Sequence, residues 1–380
     1  MRLLFITNLC PHYMVGAFEA LARKVDVQFL FHSEGQEWYR SQSVQRESGD
    51  FPHEYLKGVT LTARLRLTPG LVRALAFRSH DVVIKGITGR FVLPISYFLT
   101  RLRGLPFVLW TGIWHHPDTF FHRLTFPLVR WLYRNCDAVV TYGDHVTRYL
   151  VELGVPRERV FSAHHSMRNE DFTPAVPEAT RAELRASLGL GDRPVVLYVG
   201  RLTEIKGVDY LIEAMATLGD LAPKLLLVGQ GELRESLGAL AKARSVDAVF
   251  HTDHVPNKQL HRYYSLASVV VLPSVTTGGN KETWGFVVNE AMNQGVPVVA
   301  TDAVGAAAGG LVRDGHEGFV VPERDGPALS AALRKLLESP ELAARLGQAA
   351  RARVATFTHE RMAAVFLQAA EYAAAARRAR

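Results

Sequence analysis

The chain has 380 residues, with 44 Lys+Arg against 37 Asp+Glu and a formal net charge of +7; that length favours two or three domains over one. At 48% hydrophobic and 21% charged residues it is too apolar for a disordered chain. Its two cysteines, Cys10 and Cys136, exclude a disulfide framework and a multi-cysteine zinc site and point to a reducing, cytoplasmic setting.

Neither apolar run near the start reads as a targeting or spanning segment. The residues after Met1 carry one arginine and a short apolar run, better suited to a buried first strand than to a signal core. Phe91–Leu102 is apolar, but Arg90, Arg101 and Arg103 bracket too few residues to cross a bilayer. The positive charge is uneven: residues 1–190 are net +6 and residues 191–380 net +1. Residues 55–134 hold 12 Lys/Arg and only Asp81 and Asp118 as acids. Such a field steers anionic partners, or it is a solvated face balanced by charges from elsewhere.

In chain order, short β-branched runs alternate with amphipathic stretches, the pattern of a parallel sheet covered by helices. The first half predicts strands at 2–7, 25–31, 81–85, 106–110, 137–141 and 159–163. Nearly all their residues are apolar, as strands buried on both faces require. Helical patterns fall at 14–24, 68–78, 90–102, 117–135 and 144–153. Met167–Pro177, rich in Asn, Asp, Glu and Pro, reads as a linker. The alternation then restarts with strands at 194–200, 224–229, 247–251, 268–273, 297–301 and 317–321 and helices at 207–217, 325–337 and 340–355. An Ala-rich helix over Thr358–Arg380 follows, acidic near its start and basic near its end, as the helix dipole prefers. The fold class is α/β, two facing doubly wound Rossmann-like domains with ligands expected at the carboxyl ends of strands in an interdomain cleft. The expected boundaries are 1–172 and 173–357, with the helix 358–380 packing back on the first domain.

Four strand ends carry candidate chemistry. Gly200-Arg201-Leu-Thr-Glu-Ile-Lys206-Gly207 leaves a strand and enters a helix. It sets a planar guanidinium and a compact ammonium five residues apart beside free helix amides, which suits a diphosphate. The spacing is not that of a Walker loop, and two solvated loop cations are the plain reading. Next, Thr276–Met292 is a Gly-rich loop running into a helix, with Glu282 at the helix entrance and Glu290 on the helix. Eight residues on one continuous helix would turn the two carboxylates about 80° apart and raise one ~12 Å above the other, so they would serve different parts of an elongated ligand. Glu290 suits ribose hydroxyls, Glu282 a sugar, and the amides of Gly285, Phe286 and Val287 a phosphate. The plain reading makes both ordinary helix glutamates, but Trp284, Phe286, Val287, Val288 and Met292 around them argue for partnered charges.

Trp110-Thr-Gly112-Ile-Trp114-His115-His116-Pro117-Asp118 ends another strand. His115 and His116 beside Trp114 suit a substrate or catalytic contact; a structural role and metal binding stand as alternatives, the latter with no Cys or carboxylate cluster to complete a shell. The first strand–helix junction offers Gly16 where a dinucleotide fingerprint needs three glycines, which disfavours a nicotinamide cofactor. Gly16 and His165, in His164-His165-Ser166, are candidates to line the acceptor side. There is no Gly-x-Ser-x-Gly, His-Glu-x-x-His or Asp-x-Asp motif, so hydrolase, zincin and metal-diphosphate readings lack support.

The series Gly200-Arg201-x4-Lys206-Gly207, Gly229-Gln230-Gly231-Glu232-Leu233, Pro273-Ser274 before Glu282-x7-Glu290, Gly295-Val-Pro297-Val-Val-Ala300 and Asp314-Gly-x-x-Gly318 resembles the retaining, GT-B-fold glycosyltransferases of family 4. The likeness is specific over residues 190–325 and architectural over 1–170. It implies a nucleotide-diphosphosugar donor on the second domain, contacted by Gly200, Arg201, Lys206, His254, Val255, Glu282, Thr283, Trp284, Gly285, Phe286, Val287 and Glu290. In such enzymes the residues matching Arg201 and Lys206 hold the diphosphate and assist its departure, Glu290 holds the ribose, Glu282 lies at the sugar, and backbone near His254 and Val255 meets the base. The sequence departs from the family in the first half. Relatives carry a Gly-Gly pair where only Gly16 stands, and their active-site histidine falls near Gly112, three or four residues before His115 and His116.

The expected function is therefore sugar transfer, with retention implied by the resemblance, from a nucleotide-diphosphate sugar to a glycan, lipid-linked or small-molecule acceptor. Neither cofactor nor metal is expected. A nucleotide-sugar epimerase and a non-catalytic sugar-nucleotide-binding protein are the alternatives; nucleic acid is not expected, because no basic, aromatic-interleaved module is present. Arg64, Arg66, Arg73, Arg78, Arg101 and Arg103, with Phe120, Phe121, Arg123, Phe126, Arg130, Trp131 and Arg134, make basic amphipathic stretches. These raise a peripheral contact with anionic membrane, or are helices with arginines turned outward.

Overall fold

The structure is a computed structural model that describes residues 1–33, 49–62, 65–116 and 119–379. Arg64, Pro117 and Asp118 lie outside the described residues, as do the side chains of Arg66 and Phe121. The chain divides into two compact units. Unit 1 comprises Met1–Trp114, Phe120–Met167 and Phe357–Arg380; unit 2 comprises His115–Thr119 and Arg168–Thr356.

Unit 1 contains β1 (Arg2–Thr7), α1 (Val15–Ala22), β2 (Asp26–Phe31), β3 (His53–Tyr55), β4 (Val59–Thr62), β5 (Leu65–Leu67), α2 (Pro69–Phe77), β6 (Val82–Gly86) and α3 (Val92–Leu102). It continues with β7 (Phe107–Thr111), α4 (Phe120–Asn135), β8 (Ala138–Thr141), α5 (Asp144–Glu152) and β9 (Val160–Ser162). Seven strands form one sheet in the order β3-β2-β1-β6-β7-β8-β9, and every pairing is parallel. The antiparallel pair β4–β5 stands apart from it. Alternate residues of each strand feed opposite faces. Phe5, Phe29 and Ile84 join α1 in one core, while Leu4, Val83 and Leu109 join α2 and α3 in another. The strand β3 carries no apolar run, only His-Glu-Tyr, so periodicity does not reveal it; it adds to the sheet edge through backbone pairing with β2. The helix expected from residue 117 begins at Phe120.

Unit 2 contains α6 (Glu178–Ser187), β10 (Val195–Val199), α7 (Val208–Ala216), β11 (Lys224–Val228), α8 (Arg234–Ala243), β12 (Ala248–His251), α9 (Leu260–Tyr264) and β13 (Val269–Leu272). Next come α10 (Phe286–Asn293), β14 (Val298–Thr301), α11 (Gly305–Ala308), β15 (Gly318–Val321), α12 (Gly326–Glu338) and α13 (Pro340–Val354). Six parallel strands run β12-β11-β10-β13-β14-β15, with Val196, Leu197, Val270, Val271, Val298 and Val299 at zero exposure. The segment expected to be a linker is packed: Phe172 is buried, and Asn293 Nδ2 donates to Asn169 Oδ1 at 2.9 Å. Gln294 at the end of α10 also donates to Phe172 O and to Pro174 O, the latter at 3.0 Å, so the segment is fastened to the domain and is not a solvated tether.

The final helix, α14 (His359–Arg378), starts on Thr358, whose hydroxyl accepts from the Arg361 amide. Met362, Ala363, Phe366, Ala369, Ala370 and Ala373 are buried in the unit 1 core with Phe5 and Trp110. The run of alanines lets the helix lie close to α1 while Phe366 packs edge-on to Phe5 and Trp110, with ring centroids 5.2 and 5.5 Å away.

Candidate functional site

In unit 2 the strand order reverses between β10 and β13, so the loops leaving these two strands diverge and open a crevice at their carboxyl ends. Gly200 follows β10 directly. A side chain at Gly229, which follows β11, would come within 1.9 Å of the Gly200 carbonyl oxygen; only glycine lets the two loops touch. The contact is locked by the Gly200 amide on Val228 O at 3.0 Å and the Leu202 amide on Gln230 O at 2.8 Å. Tyr198, fully buried, donates its hydroxyl to Arg201 O at 2.6 Å. Burial and the nearby Glu282 carboxylate push its pKa well up, which keeps that donor protonated. The backbone carrying Arg201 is thus fixed while its guanidinium side chain is exposed.

Lys206, at the end of the same loop, donates to the Glu282 carboxylate. Their side chains are only 14% and 19% exposed. Ser274, buried after β13, donates to the same carboxylate oxygen at 3.4 Å. Glu282 does not stand on a helix. It lies in an extended segment paired with Val304, held by the Gly305 amide on Glu282 O at 2.9 Å and the Ala306 amide on Trp284 O at 2.7 Å. The helix α10 starts four residues later, at Phe286. The helical angle and rise expected between Glu282 and Glu290 are therefore replaced by a bent path: a strand-like arm brings Glu282 to Lys206, and α10 carries Glu290.

Glu290 accepts a hydrogen bond from the Tyr264 hydroxyl. Burial raises its carboxyl pKa to about 7 against the lowering effect of that bond. Thr283 is exposed; Gly285, Phe286 and Val287 are half-buried at the start of α10. Trp284 is buried and spent on structure, its indole N–H donating to Asn289 Oδ1 at 2.8 Å. His254 is exposed and Val255 half-buried, in the loop after β12. Beside the arm, Glu323 accepts from the amide and hydroxyl of Thr276 and pairs with Arg324 at 2.8 Å and Lys281 at 3.7 Å. These neighbours hold its carboxyl below the usual range despite burial. A cavity of about 340 Å³ between the starts of α7 and α8, bounded by Glu204, Tyr210, Leu240 and Arg324, includes none of the candidate residues.

The sheet of unit 1 reverses between β1 and β6. Lys85, at the end of β6, is wholly buried; its ammonium donates to Gly86 O and to Thr88 O at 2.8 Å. Burial drives its pKa down to about 7. His165 is 3% exposed, against Tyr142, Tyr13 and Trp110 at ring distances of 4.3, 5.6 and 6.4 Å. Burial, aided by His359, lowers its pKa to about 3, so the ring is neutral. The space left by Gly16 is filled from within the chain: a Cβ there would lie 2.2 Å from His359 Nδ1, and His359 Nε2 reaches Tyr13 O at 3.1 Å. Trp114 packs edge-on to His145, centroids 4.8 Å apart. His115 is exposed and His116 half-buried, and both group with unit 2.

Sequence reading does not single out Tyr264, Lys85 or His359, and it includes Ser274 only as part of a motif. Lys85 had a signal, a cation inside the apolar run Val82-Val-Ile-Lys-Gly86. His359 had none, because what it fills is a gap left by a residue over three hundred positions away. Among the described residues no group of three or more His, Cys, Asp or Glu is placed to hold a metal ion, and no helix is long and apolar enough to cross a membrane.

Two doubly wound parallel sheets, one with a basic loop and a carboxylate arm at its strand reversal, define a two-domain α/β protein of Rossmann-like halves. Comparison with known families agrees. Residues 180–353 match the family described as glycosyl transferases group 1, and residues 11–163 match the glycosyl transferase 4-like domain. The chain is 35% identical over 264 residues to alpha-D-kanosaminyltransferase of Streptomyces kanamyceticus, covering 66% of each chain. It is 39% identical over 180 residues to a GDP-mannose-dependent alpha-(1-6)-phosphatidylinositol monomannoside mannosyltransferase of Mycolicibacterium smegmatis, covering 46% of each. The match thus spans less than two thirds of the length of these relatives. Among solved structures, HepE of Anabaena in complex with UDP and glucose superposes with a TM-score of 0.71 at 17% identity, covering 97% of this chain and 98% of that one. WaaG, a glycosyltransferase involved in lipopolysaccharide biosynthesis, gives 0.67 at 19%, covering 96% and 99%. At such identity the likeness is one of fold. The chain belongs to the group 1, family 4 glycosyltransferases of GT-B fold.

Proposed function

We propose that this protein transfers a sugar from a nucleotide-diphosphate sugar to an acceptor bound by unit 1, with retention at the transferred carbon. The observation that carries the reading is the Lys206–Glu282 pair at the strand reversal of unit 2, at the end of the loop that begins with Gly200 and Arg201. In the reaction the bond between the sugar carbon and the diphosphate oxygen breaks, and the acceptor oxygen bonds to that carbon. The diphosphate leaves with the bonding electrons, and the proton of the acceptor hydroxyl ends on the departing diphosphate oxygen. Arg201 and Lys206 stabilise the charge growing on the diphosphate, which pre-set cations do without reorganisation and without a metal. Glu282, already beside Lys206, positions the sugar, and Glu290 accepts from the ribose hydroxyls. The amides of Gly285, Phe286 and Val287 face a phosphate, the backbone of His254 and Val255 the base, and His115 or His116 the reacting end. The relatives named for kanosamine and GDP-mannose transfer support a nucleotide-sugar donor and leave small-molecule, glycan and lipid-linked acceptors as the classes to screen.

Calorimetry with UDP-, GDP-, dTDP- and ADP-sugars tests the donor. Binding of at least one is expected, and absence of heat with all four classes removes the reading. Product analysis without acceptor separates transfer from epimerisation, since an epimerase converts the donor alone.

A further inference from the structure

We propose that the outer face of α4, joined by Phe98 and Leu102 of α3, is a docking surface for an anionic lipid bilayer. Phe120, Leu124, Leu128 and Trp131 are 85%, 69%, 42% and 43% exposed. At about 100° per residue their spacing gathers them into a stripe roughly 80° wide along the helix. Pro127, also exposed, falls at its edge. Arg123, Arg130 and Arg134 are exposed too, and the same rotation sets them in a row beside the stripe. Tyr133, across α4 from the stripe, and Leu132, between the two, are both 1% exposed and carry the helix into the core. The helix is therefore apolar on two sides, and its own domain needs only one of them.

The stripe does not end with the helix. The Phe98 ring stacks on Trp131, with centroids 6.1 Å apart and planes 22° from parallel. Leu102, one turn further along α3, is 82% exposed. Among the described residues every exposed large apolar side chain of the chain lies in unit 1. Such side chains scattered singly need no explanation; a contiguous patch edged by charge marks an interaction site.

The charge selects the partner. Neither α3 nor α4 contains an acidic residue, and Arg123, Arg130 and Arg134 flank the stripe, while Arg101 is turned to Asp137 at 2.7 Å and Arg103 to the carbonyls of Leu75 and Arg78. A protein partner would be expected to find both signs on such a rim. A bilayer surface rich in phosphate asks for this arrangement: aliphatic and aromatic groups enter the acyl boundary, and arginine stems lie along them with their heads at the phosphates. Trp131 suits the headgroup level. The inference does not depend on the transferase reading, because its readout is binding.

The test is co-sedimentation of the full chain with phosphatidylcholine vesicles, with and without phosphatidylglycerol. Binding is expected to the anionic vesicles, to weaken with salt and to be slight on pure phosphatidylcholine. Leu124→Glu with Leu128→Glu, at exposed positions, should lower partitioning about tenfold or more with the melting temperature kept. Arg130→Gln with Arg134→Gln should weaken only the anionic component. No binding to anionic vesicles, equal binding to both kinds, or undiminished binding by the leucine variant would each overturn the proposal. So would a dimer in sedimentation velocity that Leu124→Glu splits, since a second copy would then cover the face.

Discussion

Both units reverse their strand order, yet the two reversals are furnished with opposite chemistry. Unit 2 places a partly buried ion pair there, Lys206 with Glu282, beside an exposed arginine. Unit 1 places a lysine with carbonyl partners, Lys85, at its reversal, and a neutral histidine among aromatic rings at His165. Fixed charge suits a ligand that is charged throughout its reaction; uncharged polar groups and ring faces suit hydroxyl-bearing molecules. The same backbone plan is thus furnished with a partly buried ion pair in one half and with a carbonyl-bound lysine and ring faces in the other. The field outside follows a different division, with the excess positive charge and the exposed apolar groups on unit 1.

Four experiments sharpen or break that contrast. The largest effect is expected from Lys206→Ala, which removes a cation from the leaving group and strands Glu282. Turnover should fall on the order of a hundredfold with circular dichroism unchanged, and a wild-type rate would show that charge at this reversal is not used. Glu282→Gln should lower kcat about tenfold or more while nucleoside-diphosphate binding stays level or tightens, because the anion competing for Lys206 is gone. Weaker diphosphate binding would assign Glu282 to the diphosphate instead.

Glu290 supplies the pH test. With its carboxyl raised to about 7, the ligand-free protein protonates there as pH falls through 7, so KM for the donor should rise in that direction and flatten in Glu290→Gln. Stability has the opposite sense. A pKa raised above its unfolded value means that this group's stabilising share is full below about 4.5 and is lost as pH rises towards 7. Thermal melts of wild type should therefore lose more between pH 5 and 8 than those of the Gln variant. The smallest effect is expected from Gly16→Ala, whose methyl meets His359. The ring must shift, at a cost of about 1–2 kcal/mol, seen as a lower melting temperature; no change would mean that His359 has a second place to go.

Much of this was legible in the sequence where the cause is local. Val195–Val199 and Val269–Leu272 read as buried strands because no other local arrangement hides so many branched apolar residues. The Gly200–Lys206 loop reads as a connection from a strand into a helix because Gly200 and Gly207 bracket it, and the chain leaves β10 and enters α7 there. Glu282 reads as the entrance of a helix, whereas it lies on an arm held by backbone bonds from residues 305 and 306, which periodicity does not reveal, and its pairing with Lys206 is not written in the spacing. The short edge strand β3 and the helix α9, with its Glu290 partner Tyr264, escaped for the same reason. Gly16 read as room for a ligand; a distant histidine occupies that room, and no spacing rule reports it.

The placement of α14 has a consequence for how the molecule is made. The core of unit 1 includes Met362, Ala363, Phe366 and Ala370, supplied after the whole of unit 2 has been translated. Until then the first sheet lacks a wall, and Phe5, Phe18 and Trp110 have lost part of their cover. Unit 2 draws nearly all its residues from one continuous stretch and can close its own core as it emerges. In the order of synthesis the second half is ready first, and the half made earliest waits longest for completion. Truncation within the last helix should thus expose the first domain to proteolysis and leave the second resistant.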